Sequence, residues 1–297
     1  MLALVVINKY SRDGNNNIIN IIESTLKQKY RLVTSFVGSK AYTINEYIKS
    51  YGAAYDLICA VGGDGTIHEV VNGVSKLKRR PVIGIIPAGT CNDIAHTLGI
   101  PKDIKKALDL IIKHDVVRLP LFKINNTYFI YGLALGMLSD VSYLAKAKSK
   151  KRLGRLAYFL EAFKNINKSK GIDAYINGKK DKYCFILFLN SHYLAGFRIR
   201  YKSNRYLDNG DLKLITINKS NRLFEIIDLS LFFLFGEYLS HNTRIKTITD
   251  AQIEVVSPAS INADGEAIGK IKNICIEPSN AFLEFIVNKK NKNRIIK

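Results

Sequence analysis

Asp56-Leu57-Ile58-Cys59-Ala60-Val61-Gly62-Gly63-Asp64-Gly65-Thr66-Ile67-His68-Glu69-Val70-Val71-Asn72-Gly73-Val74 is the stretch from which the fold can be read. Asp56–Val61 is mostly an unbroken apolar run, as in a strand buried on both faces. Gly62 and Gly63 end it. From Thr66 to Leu77, Ile67, Val70, Val71 and Val74 recur at helical spacing. Three glycines between strand and helix let backbone N–H groups approach an anion, and the helix N-terminus adds a favourable partial charge. Asp64 is out of place there unless a divalent cation bridges it to the anion. The plainer alternative is a tight turn with Asp64 as N-cap. The segment matches neither the P-loop nor the GxGxxG pattern.

The same alternation extends in both directions. Leu2–Asn8, Arg31–Phe36 and Pro81–Ile86 read as strands. Asn15–Lys27, Ala41–Tyr51, Thr90–Leu98 and Ile104–Lys113 read as helices. Residues 1–120 are therefore expected to form a three-layer α/β domain around a parallel sheet. Beyond it the texture changes to Leu119–Ile124, Tyr128–Leu135, Gly171–Ile176, Tyr183–Asn190, Leu212–Asn218, Ala251–Val256 and Ile271–Ile276, strand-like runs between Asn, Gly, Lys and Pro clusters. Helical stretches near Asp140–Lys168 and Leu223–Leu239 interrupt them. Residues 121–279 are thus expected to form a mainly β, sandwich-like domain, with segment 280–297 returning to the first through Ala281–Val287. The basic tail Lys289–Lys297 is expected to be mobile.

Composition limits the classes of partner. Hydrophobic residues make up 47% of 297, which excludes a disordered chain. The net charge of +20 favours an anionic partner: nucleic acid, acidic membrane or phosphorylated substrate. Cys59, Cys91, Cys184 and Cys275 lack metal or disulfide spacing and suit a reducing cytoplasm. Met1–Ile7 is apolar without a basic n-region and reads as a buried strand. Leu223–Leu239 contains Glu225, Asp228 and Glu237 and falls short of the roughly 20 residues of a comfortable span, so a buried or interfacial helix is expected.

Two further segments carry chemistry. Pro87-Ala88-Gly89-Thr90-Cys91-Asn92-Asp93 again joins a strand to a helix; Gly89 and Thr90 offer phosphate contacts, and Asn92 and Asp93 an amide and a carboxylate. Both segments fall at C-terminal strand ends, where open α/β sheets bind ligands. Asn262-Ala263-Asp264-Gly265-Glu266 puts two carboxylates around a glycine; a carboxylate can take a proton from an attacking hydroxyl, although Asp-Gly alone is also a good hairpin turn. His68 and His96 lie on predicted helices and read as ordinary histidines.

Through these three segments the chain resembles the diacylglycerol kinase catalytic family, whose relatives include sphingosine kinases and NAD kinases. Gly62–Thr66 is shared with NAD kinases, whereas Pro87–Asp93 followed by Ile94-Ala95 is similar to the lipid-kinase version. Gly154–Tyr158 and Asp208–Gly210 are weaker landmarks. The resemblance implies ATP and Mg²⁺ as cofactors. It implies nucleotide contacts at Asn8, Ser11, Thr34 (at the end of the second strand), Gly62, Gly63, Gly65, Thr66, Glu69, Gly89, Thr90 and Asn92. Asp64 and Asp93 match carboxylates of a metal-linked network, Asp264 the general base, and Glu266 its support. The chain departs from the family pattern at Asn8-Lys9-Tyr10-Ser11-Arg12, where a Pro and a Gly are lost. It departs again at Arg118, where an acid is usual, and at Asn209, where a carboxylate holds a structural magnesium.

Residues and resemblance together lead to the expectation of a cytoplasmic lipid kinase that touches membrane peripherally. Its site is expected in the cleft between the two domains, and its product to be phosphatidic acid or a relative. Lys146-Ala147-Lys148-Ser149-Lys150-Lys151-Arg152, with Arg155, suits anionic headgroups, a solvated loop being the alternative. No nucleic-acid partner is expected, and a homodimer is compatible with the resemblance. An NAD kinase-like enzyme, a non-catalytic nucleotide and lipid sensor, and a charge-driven nucleic-acid binder are the competing readings.

Overall fold

The structure is a computed structural model and describes residues 1–8, 16–39, 42–136, 171–202, 206–236 and 242–296. It divides into two compact units, Met1–Leu121 with Asn280–Lys297, and Phe122–Ser279.

In the first unit the chain runs β1 (Leu2–Asn8), α1 (Asn16–Leu26), β2 (Leu32–Gly38), α2 (Ile44–Tyr51), β3 (Leu57–Gly62), α3 (Asp64–Val74), β4 (Val82–Pro87), α4 (Asp93–Thr97) and α5 (Ile104–Lys113). The pairs β2–β1, β1–β3 and β3–β4 are parallel. Ala3–Ile7, Leu57–Val61 and Ile83–Ile86 are buried along their whole length, which is why these strands are runs and not alternations. Helix α2 starts on a capping box: Thr43 accepts from the Glu46 N–H, and Glu46 accepts from the Thr43 N–H. The sheet is completed from far along the sequence, where Phe285 pairs in parallel with Ile83 of β4.

The second unit is β-rich. After β5 (Val116–Ile124) come β6 (Thr127–Phe129), β7 (Gly132–Gly136), β8 (Ile172–Ile176), β9 (Lys179–Leu189), β10 (Tyr193–Leu194), β11 (Phe197–Arg198) and β12 (Leu212–Asn218). Helix α6 (Arg222–Phe235) leads to β13 (Thr243–Ile248), β14 (Ala251–Ala263) and β15 (Glu266–Ile286), whose end, from Asn280, belongs to the first unit together with α7 (Lys289–Ile295). Strands β13, β12, β9, β7 and β14 are antiparallel neighbours, and β14 pairs with the first part of β15. Strand β9 serves two cores at period 2: Ile186 and Phe188 join Phe122, Phe129, Ile253 and Ile274, whereas Phe185, Leu187 and Leu189 join Ile215, Ile217, Leu229 and Phe232.

Helix α6 forms where Leu223–Leu239 is apolar, but its polarity is inverted. Glu225 and Asp228 are buried, 0% and 3% exposed, while Leu223, Phe224 and Leu234 are 62%, 56% and 59% exposed. The buried acids have partners. Glu225 takes the Lys219 ammonium at 2.9 Å and the Ser220 N–H at 2.8 Å, and Asp228 accepts from Asn242 Nδ2 at 2.9 Å. Removing one member of a buried pair strands the other. Lys219→Met is therefore expected to destabilise by about 3 kcal/mol, read from urea midpoints; an unchanged midpoint would show that the pair holds nothing together.

Three expectations are revised by the structure. Tyr128–Leu135 is two strands, broken at Ile130 and Tyr131. The runs Ile271–Ile276 and Ala281–Val287 fall on one strand, β15, which ends at Ile286, in spite of Pro278 between them. The tail is helical: Asn288 caps α7 by accepting the Lys290 N–H, and Ile295 is fully buried. The Asp140–Lys168 stretch, the basic run Lys146–Arg152 with Arg155, and Gly154–Tyr158 lie outside the described residues.

Candidate active site

The parallel pairing lines up the strand ends. Ile7 stands opposite Val61, and Gly62 opposite Pro87, so the turns after β3 and β4 leave the same edge of the sheet side by side. They are bound together there. The Ala88 N–H donates to Gly62 O at 2.9 Å. Asn92 closes the second turn, its Oδ1 accepting from Gly89 N–H and its Nδ2 donating to Gly89 O, both at 2.9 Å. The Asn92 N–H donates to Asp64 Oδ2 at 2.8 Å, joining one turn to the other. Asn92 itself is left-handed, φ 54°, and 1% exposed.

The glycines are required for space. A Cβ on Gly62 would stand 2.1 Å from Thr66 Oγ1, and a Cβ on Gly89 would stand 2.5 Å from the Gly63 Cα. Backbone meets backbone at Gly63 and Gly89, and only residues without a side chain fit.

Asp64 carries the electrostatics. The N-cap of α3 is Gly63, not Asp64; Asp64 is the first helical residue and reaches across to the N-terminus of α4. Burial above all, and then the charge of Asp93, push its carboxyl up to about 8, against N–H donors at Asn92, Asp93 and Ile94 that pull the other way. Its Oδ1 is buried and has no hydrogen-bond partner. A second buried carboxylate, Asp93, is 2% exposed. An orphaned oxygen on one carboxylate, destabilised by its neighbour, is the environment that a cation would relieve. Two carboxylates also suit Mg²⁺, which completes its shell with water and substrate phosphate.

The other expected contacts fall out unevenly. Gly65 and Thr66 lie in the first turn of α3, Thr90 lies in the turn after β4, and Asn8 ends β1 on the same edge. Ser11 lies outside the described residues. Thr34 does not end its strand: β2 continues to Gly38, and Thr34 pairs with Leu4, well back from the edge. Glu69 has a role in the fold, since its Oε2 accepts the Ile44 N–H at 2.9 Å and so caps α2. Arg118, where an acid was looked for, is exposed, 3.9 Å from Glu284 and over the Phe282 ring. Asn209 donates to Asp211 Oδ2 at 2.8 Å.

In the second unit, Asp264 and Gly265 form the two-residue turn between β14 and β15, both with positive φ, 50° and 88°. The Asp264 side chain is 1% exposed. Its Oδ2 accepts from Ile130 N–H at 2.9 Å, and its Oδ1 from Tyr131 and Gly132 N–H at 2.9 and 3.1 Å. Sequence reading missed Ile130–Gly132 as this carboxylate's cradle; the available signal was Gly132 inside an apparent strand. Glu266 opens β15 beside it, exposed.

The fold is shared with known structures. Over 97% of both chains it matches the crystal structure of a diacylglycerol kinase from Bacillus anthracis, with a TM-score of 0.80 and 24% identity. An NAD kinase from Archaeoglobus fulgidus in complex with ATP aligns over 99% of this chain and 96% of its own, with a TM-score of 0.55 and 19% identity. Residues 2–124 match the model of the diacylglycerol kinase catalytic domain. The diacylglycerol kinase of Staphylococcus saprophyticus is 34% identical over 232 residues, 76% of this chain and 75% of the relative. That of Staphylococcus aureus is 36% identical over 222 residues, 73% and 70%. The chain belongs to the diacylglycerol kinase family.

Proposed function

We propose that this chain transfers the γ-phosphoryl group of ATP to the free hydroxyl of diacylglycerol or a closely related membrane lipid. The products are ADP and phosphatidic acid or its analogue. The observation that carries the reading is the pair of joined glycine turns around Asp64, whose buried Oδ1 has no protein partner. Family membership supports the kinase chemistry, and the relatives' names support the lipid.

In this reading the backbone N–H groups at Gly63, Gly65 and Thr90 meet the phosphates, helped by the N-terminus of α3. Asp64 and Asp93 would hold Mg²⁺, which offsets charge on the phosphates. The lipid oxygen forms the new P–O bond, the bond from γ-phosphorus to the bridging oxygen breaks, and ADP leaves. Asp264 accepts the hydroxyl proton, and its three N–H donors keep the carboxylate in one orientation, with Glu266 in support. Positioning and electrostatics supply the rate.

The test is transfer of labelled γ-phosphate from Mg-ATP to diacylglycerol, sphingosine and ceramide in mixed micelles, with NAD as soluble control. Label on diacylglycerol is expected. Label on NAD alone, or on nothing, would overturn the reading.

A further inference from the structure

Helix α6 faces the wrong way for a helix of a water-soluble domain. At 100° per residue, Leu223, Phe224, Ile227, Leu231, Leu234 and Phe235 share one arc of about 120°. Five of these are exposed and Leu231 is half-buried. The opposite arc holds Glu225, Asp228, Leu229, Phe232 and Phe233, all buried. The acids are turned inward, Glu225 paired with the Lys219 ammonium and Asp228 hydrogen-bonded by Asn242, so the outer arc presents hydrocarbon and no charge.

The surroundings of this arc are basic. Arg222, exposed, opens the helix. At its other end the segment 197–202 packs against it. Phe197 meets the Phe233 ring at 5.5 Å, and a Cβ on Gly236 would stand 2.0 Å from Arg200 O. In this segment Phe197, Ile199 and Tyr201 join the core beneath α6, while the alternate residues Arg198, Arg200 and Lys202 are exposed. An apolar arc with cations at both ends is complementary to a bilayer that carries anionic phospholipid: acyl chains for the arc, headgroups for the cations.

We infer that α6 and the adjoining 198–202 segment form a membrane-docking surface, with α6 lying in the interface plane. None of α6 spans: no helix among the described residues is long and apolar enough to cross a membrane. The inference rests on the lipid-kinase reading for its purpose alone, because docking is measurable without nucleotide or turnover.

The chain has no Trp, so Phe224→Trp creates a single fluorescent reporter on the arc. The full chain carrying it is mixed with phosphatidylcholine vesicles with and without phosphatidylglycerol. A blue-shifted emission and quenching by brominated acyl chains are expected only when phosphatidylglycerol is present. Leu223→Ser with Leu234→Ser is expected to reduce vesicle co-sedimentation at least tenfold while leaving the thermal midpoint unchanged, and Arg198→Glu with Arg200→Glu to do the same. Sedimentation with no change in emission would place docking elsewhere and overturn the inference. So would emission that is already blue in buffer, whether it fades on dilution (a second copy on the arc) or persists (the chain's own residues over it). A shift on adding RNA but not vesicles would replace the membrane with a nucleic acid.

Discussion

Asp64→Asn is expected to lower phosphoryl transfer at least about a hundredfold, and yet to make the nucleotide-free protein more stable at pH 8–9. The two effects have one origin. In the folded chain the Asp64 carboxyl is pushed up to about 8, chiefly by burial and then by Asp93, from an ordinary value of 3.8. Between about pH 4 and 8 the folded state holds a proton that the unfolded state releases, so stability falls as pH rises through this window. Below it both forms are protonated and nothing is lost; above it the folded chain bears a buried anion. Asparagine keeps the acceptor for the Asn92 N–H and puts an amide where Oδ1 has no partner. Thermal midpoints taken in chelator should rise for the variant at pH 8–9 and converge with the parent near pH 4. Activity within threefold of the parent would remove Asp64 from the chemistry. A lower midpoint at pH 8–9 would remove the cost assigned to its burial.

Gly89→Ala is expected to cost about 2–4 kcal/mol in stability and to weaken ATP binding by more than tenfold. The added methyl would meet the Gly63 Cα at 2.5 Å and Asn92 Oδ1 at 2.7 Å. Neither is the end of a flexible side chain, so one turn must move off the other, and the Asn92 bonds and the Asn92–Asp64 bond go with it. Gly89 is not among the residues with positive φ, so the penalty is steric and not conformational. Gly178→Ala separates the two causes: Gly178 has φ 80° and nothing within 4 Å of an added Cβ. That control should lose about 1 kcal/mol from backbone conformation and leave ATP binding, measured by titration calorimetry, untouched. Equal losses at both positions would show that the two turns are not packed as described.

Much of the first unit was legible because its strands are buried on both faces. Leu2–Asn8 and Asp56–Val61 are apolar runs, and Gly62 and Pro87 end β3 and β4 where sequence punctuation says they should. The second unit was harder. Thr243–Ile248 went unread because its Arg, Lys and Thr are those of an edge strand, exposed on alternate residues. Pro278 argued for a break that β15 does not make. The tail Lys289–Lys297 looked solvated because one buried residue, Ile295, is a weak signal among so many lysines and asparagines.

The candidate site was legible in position and much less so in role. Glycine turns and acids at strand ends announce an anion site, but partners distant in sequence decide what each polar atom does. Glu69 caps a helix that begins 25 residues before it. Asp264 grips backbone more than 130 residues away. Nothing in Leu223–Leu239 distinguishes an acid turned inward from one in water; that is decided by Lys219 and Asn242, which lie outside the hydrophobic run.

The pairing of Phe285 with Ile83 sets an order of events during synthesis. Residues 122–279 form a continuous unit and can begin to fold as soon as they have left the ribosome. The unit that carries the glycine turns started earlier but cannot finish until residues 280–286 emerge. Until then β4 keeps an open edge. The sheet that carries the glycine turns therefore gains its last strand only after the whole of the second unit has been made.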